Sequence, residues 1–585
     1  MHARNGAAPA STHPYSQLEK RTRPPPLNQI GKSHLDRPKP IYHPKPQHRL
    51  PAPPQPWLPT PSKSKRPEFP DFSGFDAGLY EEESKAPPPS ARALAYTSSG
   101  DSCVDFFFQV VPGATAAADV ASLLSVAWDK DAPTALRLVC HLRGVRGLGK
   151  SDRDGFYAAA LWMHANHPRT LAANLPVFAR FGCFNDLLEI VYLVLHDPRD
   201  ERKDEYDDAE AASSFRLLYD GVAELFAVLL KSDLAHLRAG DVAKITLAAK
   251  WCPSLRSSYD RSTLLCEAIA RRIFPRDSTP EYLAMPDKHY AYRARDRLRR
   301  EVLVPLRKVL ELPEVYMSAH KWDELPYARV PSLAMRQYKE AFQKHDKSGV
   351  VGFFDEVRAG LAKIPADAVL PHEIVAAALK GDHDESAELQ WRHMVSNLES
   401  EGRLTNCIAM CALSSSVEKP PAAAAIALGL LLHKVRGASL LEKLRPLAAV
   451  RAQKGANLQA VFNKILNVAV AGKLDKEMMV KRVFVLSVME FDGWVGGEAW
   501  VSQHQAIKNK FEAEGFAVPE VVFWNVGTAK ASVPVVAAQA GVALVSGYSK
   551  NLVRLFLEAD GVLTPSAIMA DAISGPEYDG LQVLD

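Results

Sequence analysis

The sequence predicts a multidomain chain: a disordered N-terminal arm, a mainly α-helical repeat region, and an α/β domain on a parallel sheet. Three observations carry this expectation. Residues 1–95 hold twenty of the 42 prolines. From about residue 100 to 400, apolar residues recur at helical spacing between Gly and Pro turns. Beyond residue 403, β-branched apolar runs alternate with helical patterns, the layout of buried strands joined by crossover helices. The expected boundaries are therefore 1–95, 96–402 and 403–585, since 585 residues exceed what one hydrophobic core sustains.

Composition narrows the class before any motif is read. The apolar fraction is 47%, ordinary for a globular chain, and net charge is only +3. No uninterrupted apolar run of about 18 residues suggests a membrane span. No apolar segment near the N-terminus marks a secretory signal. The seven cysteines, at 103, 140, 183, 252, 266, 407 and 411, form no C-x-x-C pair. A dispersed, odd set inside apolar runs fits free thiols in a reducing compartment. The expected location is intracellular, cytoplasmic or nuclear, with no zinc site and no cofactor.

In the arm, Arg21, Arg23, Lys39, Lys45, Lys63, Lys65 and Arg66 stand among few acids. Such a segment buries too little apolar surface to offset its ordering entropy, so disorder is expected. Leu50 to Pro59 contains overlapping P-x-x-P spacings suited to polyproline II. It reads as a linker, with an SH3- or WW-type ligand as the functional alternative. The proline density opposes the amphipathic helix of an organelle transit peptide.

Order is expected from Ser102. Ser122–Trp128 and Pro133–Leu142 read as helices: Leu136, Val139, Cys140 and Leu142 keep helical spacing, and Pro133 suits a first turn. A capping-box-like start at Ser151 opens the next helix, which ends at Pro168. Thr170–Phe181 and Phe184–Leu195 make a further pair broken at Gly182, and the charged Asp197–Ala212 reads as a solvated loop. Helices continue from Phe215 to Ala378. Among them, Tyr292–Lys308 is the most basic ordered stretch, with Arg293, Arg297 and Arg300 near one face. They suit contact with phosphates or a plain solvated surface. In the last third, Leu404–Leu413 is a continuous apolar run, and Arg482–Met489, Val518–Val526 and Val542–Ser546 read as strands. Ala422–Val435, Gly455–Val470, Ala499–Glu514 and Asn551–Ala559 read as helices.

One stretch carries a catalytic pattern. Gly144, Gly149, Lys150 and Ser151 satisfy G-x-x-x-x-G-K-[ST], the phosphate cradle of nucleotide hydrolases. A working cradle needs a buried strand ending at Gly144 and a later strand closing on a magnesium-binding Asp. Residues 133–142 read instead as helix, and residues 155–400 offer no such strand. The stretch therefore reads as a helix-hairpin turn: glycines permit the reversal, Ser151 caps the next helix, and Arg143, Arg146 and Lys150 face outward. His372-Glu373 begins a zincin pattern, but Ala376 stands where the second histidine belongs. There is no G-x-S-x-G elbow, and Cys407 and Cys411 lie in or beside a buried strand. No catalytic residue is assigned.

Several separated motifs, in order, resemble one family. They are Arg143 to Phe156 (RGVRGLGKSDRDGF), Leu161-Trp162, His167-Pro168, Lys250 to Ser254 (KWCPS), Arg300 to Lys308 (REVLVPLRK) and Leu312 to Tyr316 (LPEVY). Val522 to Asn525 (VFWN) and Gly541 to Lys550 (GVALVSGYSK) follow. Together they are similar to the plant family called domain of unknown function 2828, over about residue 100 to the C-terminus. That family resembles in layout the TROVE proteins, such as the Ro autoantigen. These join a ring of HEAT-like helical repeats, which binds small and misfolded RNAs, to a von Willebrand A-like, Rossmann-type α/β domain.

The resemblance implies RNA as a ligand of the helical region. Arg143, Arg146, Lys150, Arg153, Arg293, Arg297 and Arg300 are the candidate contacts. It also implies a metal-ion-dependent adhesion site, D-x-S-x-S with a later Thr and Asp, because Mg²⁺ takes carboxylate and hydroxyl oxygens. Those positions here read Ala412, Ser414, Ser416, Ala456 and Val488. With the carboxylates missing, the metal site is expected to be degenerate, and Glu490 and Asp492 read as exposed strand-end carboxylates. The function expected is a non-enzymatic intracellular binding scaffold with RNA as leading ligand. A protein–protein adaptor, using the helical surface, the Pro-rich arm or the α/β domain, is the alternative; a P-loop NTPase is a minor one.

Overall fold

Short polar residues set the first helices. Asp101 accepts the N–H groups of Cys103 and Val104, and Asp131 accepts that of Thr134, so the chain turns helical directly after each aspartate. The computed structural model describes residues 98–196, 209–379, 384–402, 404–412, 420–433, 440–444, 458–489, 497–527, 535–557 and 563–585. All of these lie in one unit that runs from Phe72 to Asp585. The arm 1–95, the segment 197–208, Ser414, Ser416, Ala456, Glu490 and Asp492 are outside the described residues.

The leading helices are α1 Ser102–Gln109, α2 Ala117–Lys130, α3 Ala132–Arg143, α4 Arg153–Asn166, α5 Pro168–Ala173, α6 Leu175–Phe181, α7 Phe184–Leu195 and α8 Ala209–Ala239. The expected helix 133–142 is α3. Ser151 does not cap α4, contrary to expectation. Its φ is 59°, in the left-handed region, and the neighbouring Asp152 takes the N-cap instead, accepting the Gly155 N–H at 3.0 Å. Helices also fill the expected span to residue 379, and residues 325–364 gather a second apolar core around Tyr327, Phe342 and Phe353.

The basic stretch is a nearly continuous rod. Asp287–Arg297 is α-helical, Leu298–Leu303 widens into a π turn, and Val304–Val309 returns to α. Pro305 explains the widening. It has no N–H to donate, and its ring crowds the carbonyl four residues back. A turn in which the Val304 N–H reaches Arg299 O absorbs that misfit without breaking the rod.

The last third is an α/β layer. Strands β1 Cys407–Cys411, β2 Arg482–Ser487, β3 Glu520–Asn525 and β4 Val542–Ser546 form one parallel sheet in the order β1-β2-β3-β4. Helices Pro420–Leu432 and Leu458–Ala471 lie between β1 and β2, and Gly497–Ala513 lies between β2 and β3. β2 and β4 are buried throughout, as their apolar runs Val483–Leu486 and Val542–Val545 require. Register aligns Ser487, Asn525 and Ser546 in one buried polar row at the carboxyl end of the sheet. The expected helix Asn551–Ala559 is instead a 3₁₀ segment, Lys550–Phe556. Its Lys550 and Arg554 reach carbonyls of the helical region, and this tertiary anchoring overrides the α pattern. Among the described residues, no helix is long and apolar enough to cross a membrane.

Candidate functional site: the Gly-Lys-Ser loop and the basic helix

The loop between α3 and α4 closes on itself. Gly144 and Gly149 meet backbone to backbone: a Cβ on Gly149 would lie 2.4 Å from the Gly144 Cα. Three N–H groups at the end of the loop are already used. Lys150 N–H donates to His141 O at 2.9 Å, Ser151 N–H to Gly144 O at 3.2 Å, and Asp152 N–H to Leu142 O at 2.7 Å. The element before Gly144 is a helix rather than a strand. Both departures remove the anion-binding concavity that gives the motif its chemistry.

Lys150 does not face outward. Its exposure is 0%, and its ammonium donates to Phe107 O, to Val110 O at 2.8 Å and to Ser546 Oγ at 2.7 Å. All three ammonium hydrogens therefore have acceptors, two on the α1 end of the helical region and one at the carboxyl end of β4. Burial pushes Lys150 down to about 7, and the Asp152 carboxylate pulls the other way. The neighbouring segment adds to the grip: Arg554 donates to Gly147 O at 3.0 Å and pairs with Glu401 at 2.5 Å. The loop is the joint between the helical and α/β parts.

Two more buried titratable groups line this joint. Burial raises Asp152 to about 6. Burial, followed by the Lys150 charge, pushes His141 down to about 3, against a smaller opposing pull from the Leu148 backbone. His141 is thus buried neutral, while the unfolded chain takes up a proton near pH 6.5. Because the folded value is depressed, stability from this group is present above pH 6.5 and drains away as pH falls toward 3. Between pH 6.5 and 5 the protein should lose about 2 kcal/mol relative to His141→Leu. Urea titrations of both proteins at the two pH values measure that difference directly.

The other candidate cations fall into distinct groups. Arg143 is not outward-facing either: its guanidinium forks onto Asp186 at 2.9 and 3.2 Å, and Asp186 also accepts from Tyr157 and from the Cys183 N–H. Arg146 is exposed, and Arg153 is exposed beside Asp154 at 2.9 Å. Arg293 lies 3.4 Å from Glu281, and Arg300 pairs with Asp296. Arg297 stacks on Phe274 at 4.0 Å, pairs with Glu301 at 2.9 Å and donates to Tyr282. The structure thus keeps Arg293, Arg297 and Arg300 on one rod, while Arg143 and Lys150 are held by buried partners. Patterning missed Lys288, Arg299 and Lys308, which are exposed on the same rod with no ion pair among the described residues. The signal for them was available, since the i,i+4 partners Asp296–Arg300 and Arg297–Glu301 mark which cations are already neutralised.

A family model described as domain of unknown function (DUF2828) matches residues 90–211 and 199–404, which is more than half of the chain. The chain belongs to the DUF2828 family. A second model, domain of unknown function (DUF7788), matches residues 432–574 of the α/β part. This DUF2828 chain is also similar to an uncharacterized protein of Acanthamoeba polyphaga mimivirus, 25% identical over 515 residues. The alignment covers 80% of the chain and 83% of that relative. No solved structure matches.

In this DUF2828 protein, Ala412 follows β1 and Val488 follows β2, at the carboxyl ends of adjacent strands, while Ser414, Ser416 and Ala456 are outside the described residues. Among the described residues, no group of three or more His, Cys, Asp or Glu side chains is placed to hold a metal ion. The thiols are free, and burial pushes Cys266 and Cys411 up to about 12, away from nucleophilic use at neutral pH.

Proposed function

We propose that this protein is a non-enzymatic binding scaffold whose helical region holds RNA. The observation that carries this is the rod from Asp287 to Lys308, which holds eight lysines and arginines and three carboxylates, with Glu281 and Glu267 from neighbouring elements pairing Arg293 and Arg295. Lys288, Arg299 and Lys308 lack an ion pair among the described residues, so their charge is available to a phosphate backbone. The Gly-Lys-Ser loop supports the non-enzymatic side, because the N–H groups of Lys150 and Ser151 and the lysine ammonium are consumed by the fold. The likeness to the TROVE layout favours the same ligand, with the sheet as a von Willebrand A-like domain whose metal residues are lost. An intracellular location follows from this reading.

Crosslinking in cells expressing the full chain, followed by sequencing of bound RNA, tests the proposal. Recovery above that of a neutral control protein is expected, and replacement of Lys288, Arg299 and Lys308 by alanine should reduce it severalfold. Recovery equal to the control counts against RNA. The adaptor reading draws on exposed apolar residues of the α/β part, with Val468 and Met478 each about three-fifths exposed. A partner retained after nuclease treatment and lost in Val468→Asp would favour it.

A further inference from the structure

The arginines around the basic rod sit among aromatic rings, and most of those rings are occupied. Tyr290 donates to Phe274 O at 2.8 Å, and Arg271 and Arg276 lie over its ring. Tyr282 packs on Tyr290 at 5.3 Å and accepts from Arg297, which also covers Phe274. Tyr292 differs. It is 62% exposed, and among the described residues its side chain has no ring partner and no hydrogen bond. An aromatic side chain left in water beside unneutralised cations has its whole π-face free for a ligand.

Helical spacing places it between Lys288 and Arg299. Lys288 precedes Tyr292 by four residues, a rise of about 6 Å, and Arg299 follows by seven, about 10 Å. The π turn and the exposed Val304 carry the same solvent-facing stripe on to Lys308, about 30 Å from Lys288. Asp296 and Glu301 also lie on the rod, but Arg300 and Arg297 neutralise them. The Arg293–Glu281 contact at 3.4 Å is exposed and weak, so Arg293 is free to exchange its carboxylate for a phosphate.

We propose that this face binds single-stranded RNA, with a base stacked on Tyr292 and the flanking phosphates held by Lys288, Arg299 and Lys308. The inference rests on the reading of the rod as an RNA site and names the form of RNA it takes. A duplex keeps its bases stacked on one another, out of reach of a side chain on a convex helix. A single strand offers unstacked bases, and stacking on an aromatic ring between cations tolerates any sequence.

The test is fluorescence anisotropy of the full chain with a labelled single strand of roughly 12 nucleotides, and with the same strand annealed to its complement. The single strand is expected to bind more tightly than the duplex. Tyr292→Ala should weaken single-strand binding about tenfold and leave duplex binding unchanged, and Tyr292→Phe should restore it. Alanine at Lys288, Arg299 and Lys308 together should make the salt dependence shallower by roughly two phosphate contacts or more. Wild-type affinity in Tyr292→Ala, or equal affinity for duplex and single strand, overturns the stacking role while RNA binding itself survives. Loss of a captured protein partner in Tyr292→Ala, with RNA affinity unchanged, overturns it as well. Binding of neither RNA removes both this inference and the reading beneath it.

Discussion

Lys150→Met is expected to lower the unfolding free energy by about 2–4 kcal/mol without any change in nucleotide affinity. Methionine refills most of the space of the lysine stem, so the effect isolates the ammonium. Its removal leaves Phe107 O and Val110 O buried, and the Ser546 hydroxyl, 3.1 and 3.0 Å from them, has one proton to offer. One carbonyl is then orphaned in a buried joint. Relief of the buried charge offsets part of the loss, which keeps the figure below that of a broken ion pair. Urea denaturation measures it, and a double-mutant cycle with Ser546→Ala should return a coupling of about 1 kcal/mol or more. Wild-type stability in Lys150→Met would show that the joint does not depend on this residue.

Asp186→Ala should cost more, about 3–5 kcal/mol. The carboxylate is 1% exposed and satisfies four donors: two from Arg143, the Tyr157 hydroxyl and the Cys183 N–H. Truncation strands a guanidinium whose exposure is only 11%. Burial pulls that guanidinium down, and the Asp186 charge now more than compensates and holds it above its usual range. Thermal unfolding of Asp186→Ala against Asp186→Ala/Arg143→Leu separates the causes. If the stranded charge dominates, the double variant recovers a substantial part of the loss; if cavity formation dominates, it does not.

The elements were legible because burial periodicity is a local property. Leu136, Val139, Cys140 and Leu142 announce a helix, and RVFVLS announces a buried strand, whatever lies elsewhere in the chain. The parallel pairing of β1, β2 and β3 followed from the helices between them. Side-chain fates were not legible, since distant partners decide them. Whether Lys150 meets water or Ser546 depends on a residue 396 positions away, and Arg143 depends on Asp186, 43 positions away. The motif letters were explicable in two ways: glycines serve a phosphate cradle and a tight backbone crossing equally well. Only the neighbours of Gly144 distinguish the two uses.

The long reach of Lys150 also has a consequence in time. Two of its acceptors, Phe107 O and Val110 O, leave the ribosome before the lysine does, but Ser546 emerges 396 residues later. At ordinary elongation rates that interval is roughly 20–80 s. Throughout it, the newborn helical region carries a charged side chain whose third partner does not yet exist. The apolar surface that α1 later sets against β4 is open for the same interval. Synthesis of this chain therefore includes a long half-assembled stage, and the closing of one ammonium on one hydroxyl marks its end.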